Sequence, residues 1–139
     1  MILRQIKASD TDFLYDLYIN RAKRDQLSTI KYSGQKKFVS DYIHKLKNHP
    51  YEQWLIIEID GEQAGSITLN KKNNELGYWL IKKFQGKGIG TKAVKQFIKK
   101  DNKSEYMIRS HIKNKKSQRI AEKLGFKLTR YEYTLKRKK

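Results

Sequence analysis

The chain has no cysteine among its 139 residues. That excludes a disulfide framework, a thiolate metal site and a cysteine nucleophile. Histidine is scarce, at three residues, so no metal site is expected. Long apolar runs are missing as well. The longest, Trp54-Leu55-Ile56-Ile57, stops at Glu58, far short of the roughly 20 residues of a membrane-spanning helix. The N-terminal Met-Ile-Leu-Arg-Gln-Ile-Lys meets charge too early for a secretory signal. Together these absences predict a soluble, cytoplasmic protein with no membrane partner. The length fits one domain over residues 1–139, enough to bury a core without metals or disulfides.

Acidic residues are also in the minority: 14 against 32 basic ones, for a formal charge of +18. Such an excess suits an acidic partner, whether a nucleotide-linked substrate, RNA or an anionic surface. A general lysine bias in composition would leave the same mark. The basic residues are spread along the chain, which argues against a dedicated nucleic-acid site. The cluster Lys136-Arg137-Lys138-Lys139 reads as a solvated end.

Residues 1–6 alternate loosely and predict a short strand. Ser9 with Asp12 starts a helix carrying Phe13, Leu14, Leu17 and Tyr18 at helical spacing. Residues 20–33 are polar and read as a loop. After Gly34 a second helix presents Phe38, Val39, Tyr42, Ile43 and Leu46, and Asn48-His49-Pro50 ends it. Residues 54–59 and 63–69 form a hairpin about Asp60-Gly61, and residues 75–81 extend it to a three-strand meander. A helix over 91–100, a strand over 106–112 and a helix over 114–124 follow, with Gly125 as terminator. Residues 126–129 and 131–135 are two closing strands. The order is β-α-α-β-β-β-α-β-α-β-β. It predicts an α/β (α+β) fold with a mixed, mostly antiparallel central sheet and helices on both faces, its one parallel step running from 75 to 112.

The most informative stretch is Gln85-Gly86-Lys87-Gly88-Ile89-Gly90-Thr91, between a strand and a helix. Glycines let backbone approach a ligand closely, and the first helical N–H groups have no partner inside the helix. Such a turn is an anion site suited to a pyrophosphate. The nucleotide pattern G-x-x-x-x-G-K-S/T is absent. The dinucleotide pattern matches from Gly88, but it belongs in the first unit of a βαβ series and here comes late. The third pattern, Q/R-x-x-G-x-G/A, is met by Gln85, Gly88 and Gly90. Downstream, Asn114, Ser117, Ile120, Glu122, Lys123, Gly125 and Phe126 fit N-x-x-S-x-x-V/I-x-E-K-L/N-G-F. With these two segments the chain resembles the GNAT superfamily of N-acetyltransferases, in the branch similar to those that modify ribosomal-protein N-termini.

The resemblance implies acetyl-CoA as cosubstrate and direct acetyl transfer to an amine: a protein N-terminus, an amino sugar or a small amine. The protein would be a monomer or homodimer. Gln85, Gly86, Lys87, Gly88, Ile89, Gly90 and Thr91 would cradle the phosphates, with Lys87 otherwise simply solvated. The backbone of Leu80, Ile81 and Lys82 would line the pantetheine arm where two strands splay apart. Asn114 would contact that arm, or cap its helix. A tyrosine that protonates the leaving thiolate in many members is Ala121 here, and Ser117 is the matching donor of this branch. Glu75 ranks first as general base and His111 second. Tyr78 and Trp79 alternate across their strand, one toward the acceptor and one toward the core. Two alternatives stay open: a non-catalytic CoA-binding regulatory module, and a basic nucleic-acid-binding domain.

Overall fold

The computed structural model describes residues 1–21 and 31–137. Four strands form one sheet in the order β1 (Ile2–Gln5), β2 (Tyr51–Ile59), β3 (Glu62–Asn70) and β4 (Leu76–Leu80), each antiparallel to the next. The helices are α1 (Thr11–Ile19), α2 (Tyr32–Ile43), α3 (Ile89–Lys100) and α4 (Lys115–Lys123).

Alternation along the strands divides the core in two. Adjacent residues of a strand face opposite sides of the sheet. On β2, Ile57 joins Ile67, Leu69, Leu76, Ala93, Val94 and Phe97 in a cluster beneath α3. Its neighbour Ile56 joins Ile6, Leu14, Val39 and Trp54 beneath α1 and α2. Helices therefore cover both faces. The β2–β3 turn uses Asp60 at φ 51° and Gly61 at φ 79°, the paired left-handed conformation that suits the twist of a tight hairpin.

The N-terminal half is tied together by charge. Asp10 is buried and lies 2.8 Å from both Arg4 guanidinium nitrogens, 2.7 Å from the Lys7 amide and 2.6 Å from Gln63 Nε2. Burial pushes the Asp10 carboxyl up, but the Arg4 hydrogen bonds, the Lys7 amide and Gln63 outweigh it, so its pKa is lowered. Arg4 also bonds Glu58. Asp10, rather than Ser9, therefore closes the turn that leads into α1.

Several boundaries differ from expectation. The second helix begins at Tyr32, before Gly34, and ends at Ile43, leaving Leu46 exposed. The loop expected over 20–33 falls mostly outside the described residues. Residues 106–112 make a single parallel bridge, Met107 to Glu75, instead of a strand. Residues 126–129 and 131–135 carry no strand. Strands need a cross-strand neighbour to repay their ordering, and Tyr131, Tyr133 and Leu135 are 73–91% exposed.

Candidate functional site

β4 lies at the rim of the sheet, and its outer edge is closed only at one end. Leu76 donates its amide to Met107 at 2.8 Å, and Met107 donates to Asn74 at 3.1 Å. Beyond this bridge the following segment leaves the strand. Ile81 donates to Ala64 of the inner neighbour at 2.9 Å, so alternation turns the amides of Tyr78 and Leu80 outward to the open edge. The Ile81 N–H thus serves the sheet. The Leu80 carbonyl accepts from Gln85 Nε2 at 2.9 Å, folding the loop back onto the strand. Lys82 opens a 3-10 turn whose first carbonyl receives the Gln85 amide at 3.2 Å.

The loop then takes two left-handed steps, Gly86 at φ 75° and Gly88 at φ 76°. A Cβ at either would meet no atom within 4 Å, so these glycines supply backbone conformation beside open space. Gly88 caps α3 without any side-chain bond. The first intrahelical bond is Lys92 to Gly88 at 3.1 Å, and the amides of Ile89, Gly90 and Thr91 precede it. Gly90 answers a different need. A Cβ there would lie 3.2 Å from Ile120 Cδ1, so its smallness serves the close approach of α4 rather than the loop mouth. Lys82 and Lys87 are exposed, and Lys83 pairs with Glu62 at 2.9 Å.

α4 carries the downstream residues to the same place. Asn114 is its N-cap, with Oδ1 accepting the Ser117 amide at 3.1 Å. That fixes Ser117 in the first turn, where its Oγ lies 2.9 Å from the hydroxyl of Tyr78. Burial pushes the Tyr78 phenol up, and the Ser117 bond pulls it partly back. Tyr78 faces α3 and α4 while Trp79 turns to the other side, where the Arg21 guanidinium stacks 3.5 Å above its ring. Tyr51 is partly buried on this side. Its phenol is raised first by burial and also by Glu75 and Tyr18, against the pull of Arg21.

Glu75 and His111 are not joined to this pair. Glu75 sits at the closed end of the gap, 3.4 Å from Asn73 Nδ2 and 3.8 Å from Arg109. His111 is exposed, and its Nδ1 accepts the Lys113 amide at 3.1 Å. Among the described residues no hydrogen bond or ion pair links either one to Ser117. The structure thus brings together Leu80, Gln85, the glycines, Asn114 and Ser117, and adds Tyr78. Strand parity with the core residue Leu76 is the signal that points Tyr78 this way.

The acetyltransferase (GNAT) domain family matches residues 1–127. YdaF of Bacillus subtilis strain 168, a candidate ribosomal N-acetyltransferase, is 33% identical over 76 residues, which are 48% of this chain and 42% of that protein. The match thus spans less than half the length of that relative. A Salmonella typhimurium acetyltransferase that modifies the N-terminal serine of ribosomal protein L7/L12 superposes with a TM-score of 0.69 at 23% identity, covering 88% of this chain and 78% of that one. The microcin C7 self-immunity acetyltransferase MccE, solved with acetyl-CoA and AMP, gives 0.66 at 26% identity over 88% and 76%. With the family matched across nearly all of its length, the chain belongs to the GNAT acetyltransferases.

Proposed function

We propose that the protein is an acetyl-CoA-dependent N-acetyltransferase that passes the acetyl group to a primary amine by direct attack in a ternary complex. One observation carries the reading. The amides of Ile89, Gly90 and Thr91, which precede the first intrahelical bond and follow the left-handed Gly86 and Gly88, adjoin the open outer edge of β4. Helix N-termini hold anions through such amides, and an unpaired strand edge offers donors and acceptors to an extended amide chain. A diphosphate joined to a pantetheine arm combines both features. The cosubstrate supplies an activated thioester. The chain's own groups hold and orient it: the glycine loop at the phosphates, and the outward Leu80 and Tyr78 amides along the arm.

The remaining chemistry falls to side chains. The attacking amine must be neutral, and Glu75 is the base that takes its proton, through water. An outward β4 amide faces the developing oxyanion. Ser117 is the donor to the departing thiolate. The acceptor is an amine on a protein N-terminus, an amino sugar or a small molecule. The net charge of +18 favours an anionic acceptor or an acidic carrier.

Calorimetric titration with acetyl-CoA, followed by thiol release against a panel of amines, tests the reading. Binding with amine-dependent release is expected. Binding without release would mark a non-catalytic CoA-binding module, and no binding would reject the assignment.

A further inference from the structure

We propose that Tyr78 is the proton reservoir behind Ser117, so that the acid function of this site is a two-hydroxyl relay spanning β4 and α4. The inference rests on the acetyl-transfer reading above. The two hydroxyls lie 2.9 Å apart, and either can donate to the other. Each is held from its own element. The Asn114 cap fixes Ser117, and the ring of Tyr78, with Ile120 and Leu80, borders the space a Cβ on Gly90 would enter. Position 121, four residues and just over one turn further along α4 from Ser117, is an alanine and offers no hydroxyl. The phenol therefore comes from the strand instead of the helix. Burial raises its pKa and the Ser117 bond lowers it, with no charged side chain contributing among the described residues. A half-buried phenol bonded to Ser117 keeps its proton at neutral pH and can pass it to that hydroxyl.

The step balances. The amine nitrogen forms a bond to the thioester carbon, and the carbon–sulfur bond breaks with its electron pair on sulfur. The Ser117 proton passes to sulfur, and the Tyr78 proton passes to Ser117 Oγ. The proton shed by the new amide nitrogen reaches solvent, and solvent returns one to the phenolate. Ser117 touches the leaving group, and Tyr78 acts through it as a positioning and supplying residue.

Once both hydroxyls are protonated again, Ser117 donates a hydrogen bond to the sulfur of bound CoA, so it favours the ionised form of that thiol. The test is the ultraviolet thiolate titration of CoA bound to the full chain, with desulfo-CoA as the blank for tyrosine absorbance. In the wild type, the bound thiol should titrate at least about tenfold more readily than free CoA. Tyr78→Phe and Ser117→Ala should each abolish that shift while leaving the CoA dissociation constant within about threefold. Ser117→Thr, which keeps a hydroxyl, should restore it. In amine-dependent turnover each deletion should lower kcat by about 10- to 100-fold with KM little changed, and the double variant should be no worse than the poorer single. CoA binding without a shifted thiol, or a shift that survives Tyr78→Phe, overturns the relay alone. Failure of the wild type to bind CoA overturns the acetyl-transfer reading and the relay with it.

Discussion

At the residue scale, two glycines three positions or fewer from the start of α3 do opposite jobs. Gly88 is left-handed and faces open space, whereas Gly90 is helical and faces Ile120. Gly88→Val therefore leaves packing intact and costs only about 1–2 kcal/mol for a β-carbon at positive φ. It also puts a branched side chain into the space the loop leaves open. The expected outcome is a folded protein, by far-ultraviolet circular dichroism, that has lost acetyl-CoA affinity by calorimetry; unchanged affinity would refute the site. Gly90→Val crowds Ile120 Cδ1 between α3 and α4 and should lower thermal stability, with any binding loss following from that. The glycine loop is legible from sequence because glycine has few other reasons to recur at this spacing before a helix. What separates Gly88 from Gly90 is tertiary: Ile120 is 30 residues downstream, and no local pattern reports its approach. Strand parity gives the side Tyr78 faces, but not its bond to Ser117, since that partner comes from another element.

At the element scale, the seam between α2 and the sheet depends on polar atoms within an aromatic cluster. Tyr42 donates to Gln5 Oε1 at 2.6 Å and accepts the Trp54 amide at 2.9 Å. Tyr42→Phe keeps the ring but strands a partly buried donor, which typically costs about 1–3 kcal/mol; chemical denaturation should show it as a lower midpoint with unchanged slope. His49 lies in the same seam, packed among Phe38, Tyr42, Tyr51 and Trp54. Its Nδ1 accepts the Tyr51 amide at 3.0 Å and its Nε2 meets the Phe38 carbonyl at 3.1 Å, a pattern that requires the neutral ring with hydrogen on Nε2. Burial, with a contribution from Lys71, lowers its pKa against the opposing pull of the Phe38 carbonyl, Asp41 and the Tyr51 bond. The unfolded chain takes up a proton near the ordinary value of about 6.5, and the folded chain resists it. Stability from this group is thus complete above that value and declines as pH falls through it toward the lowered folded one. Unfolding measured between neutral and mildly acidic pH should show the decline, and His49→Gln should flatten it. The helices and the first meander were legible because their periodicities are local. The strand over 106–112 and the closing pair were not, because apolar alternation records only a strand's potential, and pairing needs an edge to receive it. Past Met107 the chain turns instead to cap α4, through Asn114 to His111 at 2.8 Å.

At the scale of the whole molecule, charge is the feature no single contact accounts for. Subtracting 14 acidic from 32 basic residues leaves +18. Some of the ion pairs that form are exposed, Lys83–Glu62 at both partners and Lys37–Asp41 at its lysine, and exposed pairs contribute about 0–1 kcal/mol each. Self-repulsion among the surplus lysines and arginines opposes them and extends over the whole surface. Both effects are screened by salt, with a Debye length of about 10 Å at 0.1 M, but the unpaired surplus exceeds the pairs. Sodium chloride raised from about 20 mM to about 300 mM should therefore increase the midpoint of thermal unfolding, and a fall would mean that the pairs outweigh the repulsion. The same titration should weaken acetyl-CoA binding, because screening reduces the attraction between the basic surface and the phosphates. Stability and affinity should thus move in opposite directions along one salt series. A general effect of salt on folding would move them together.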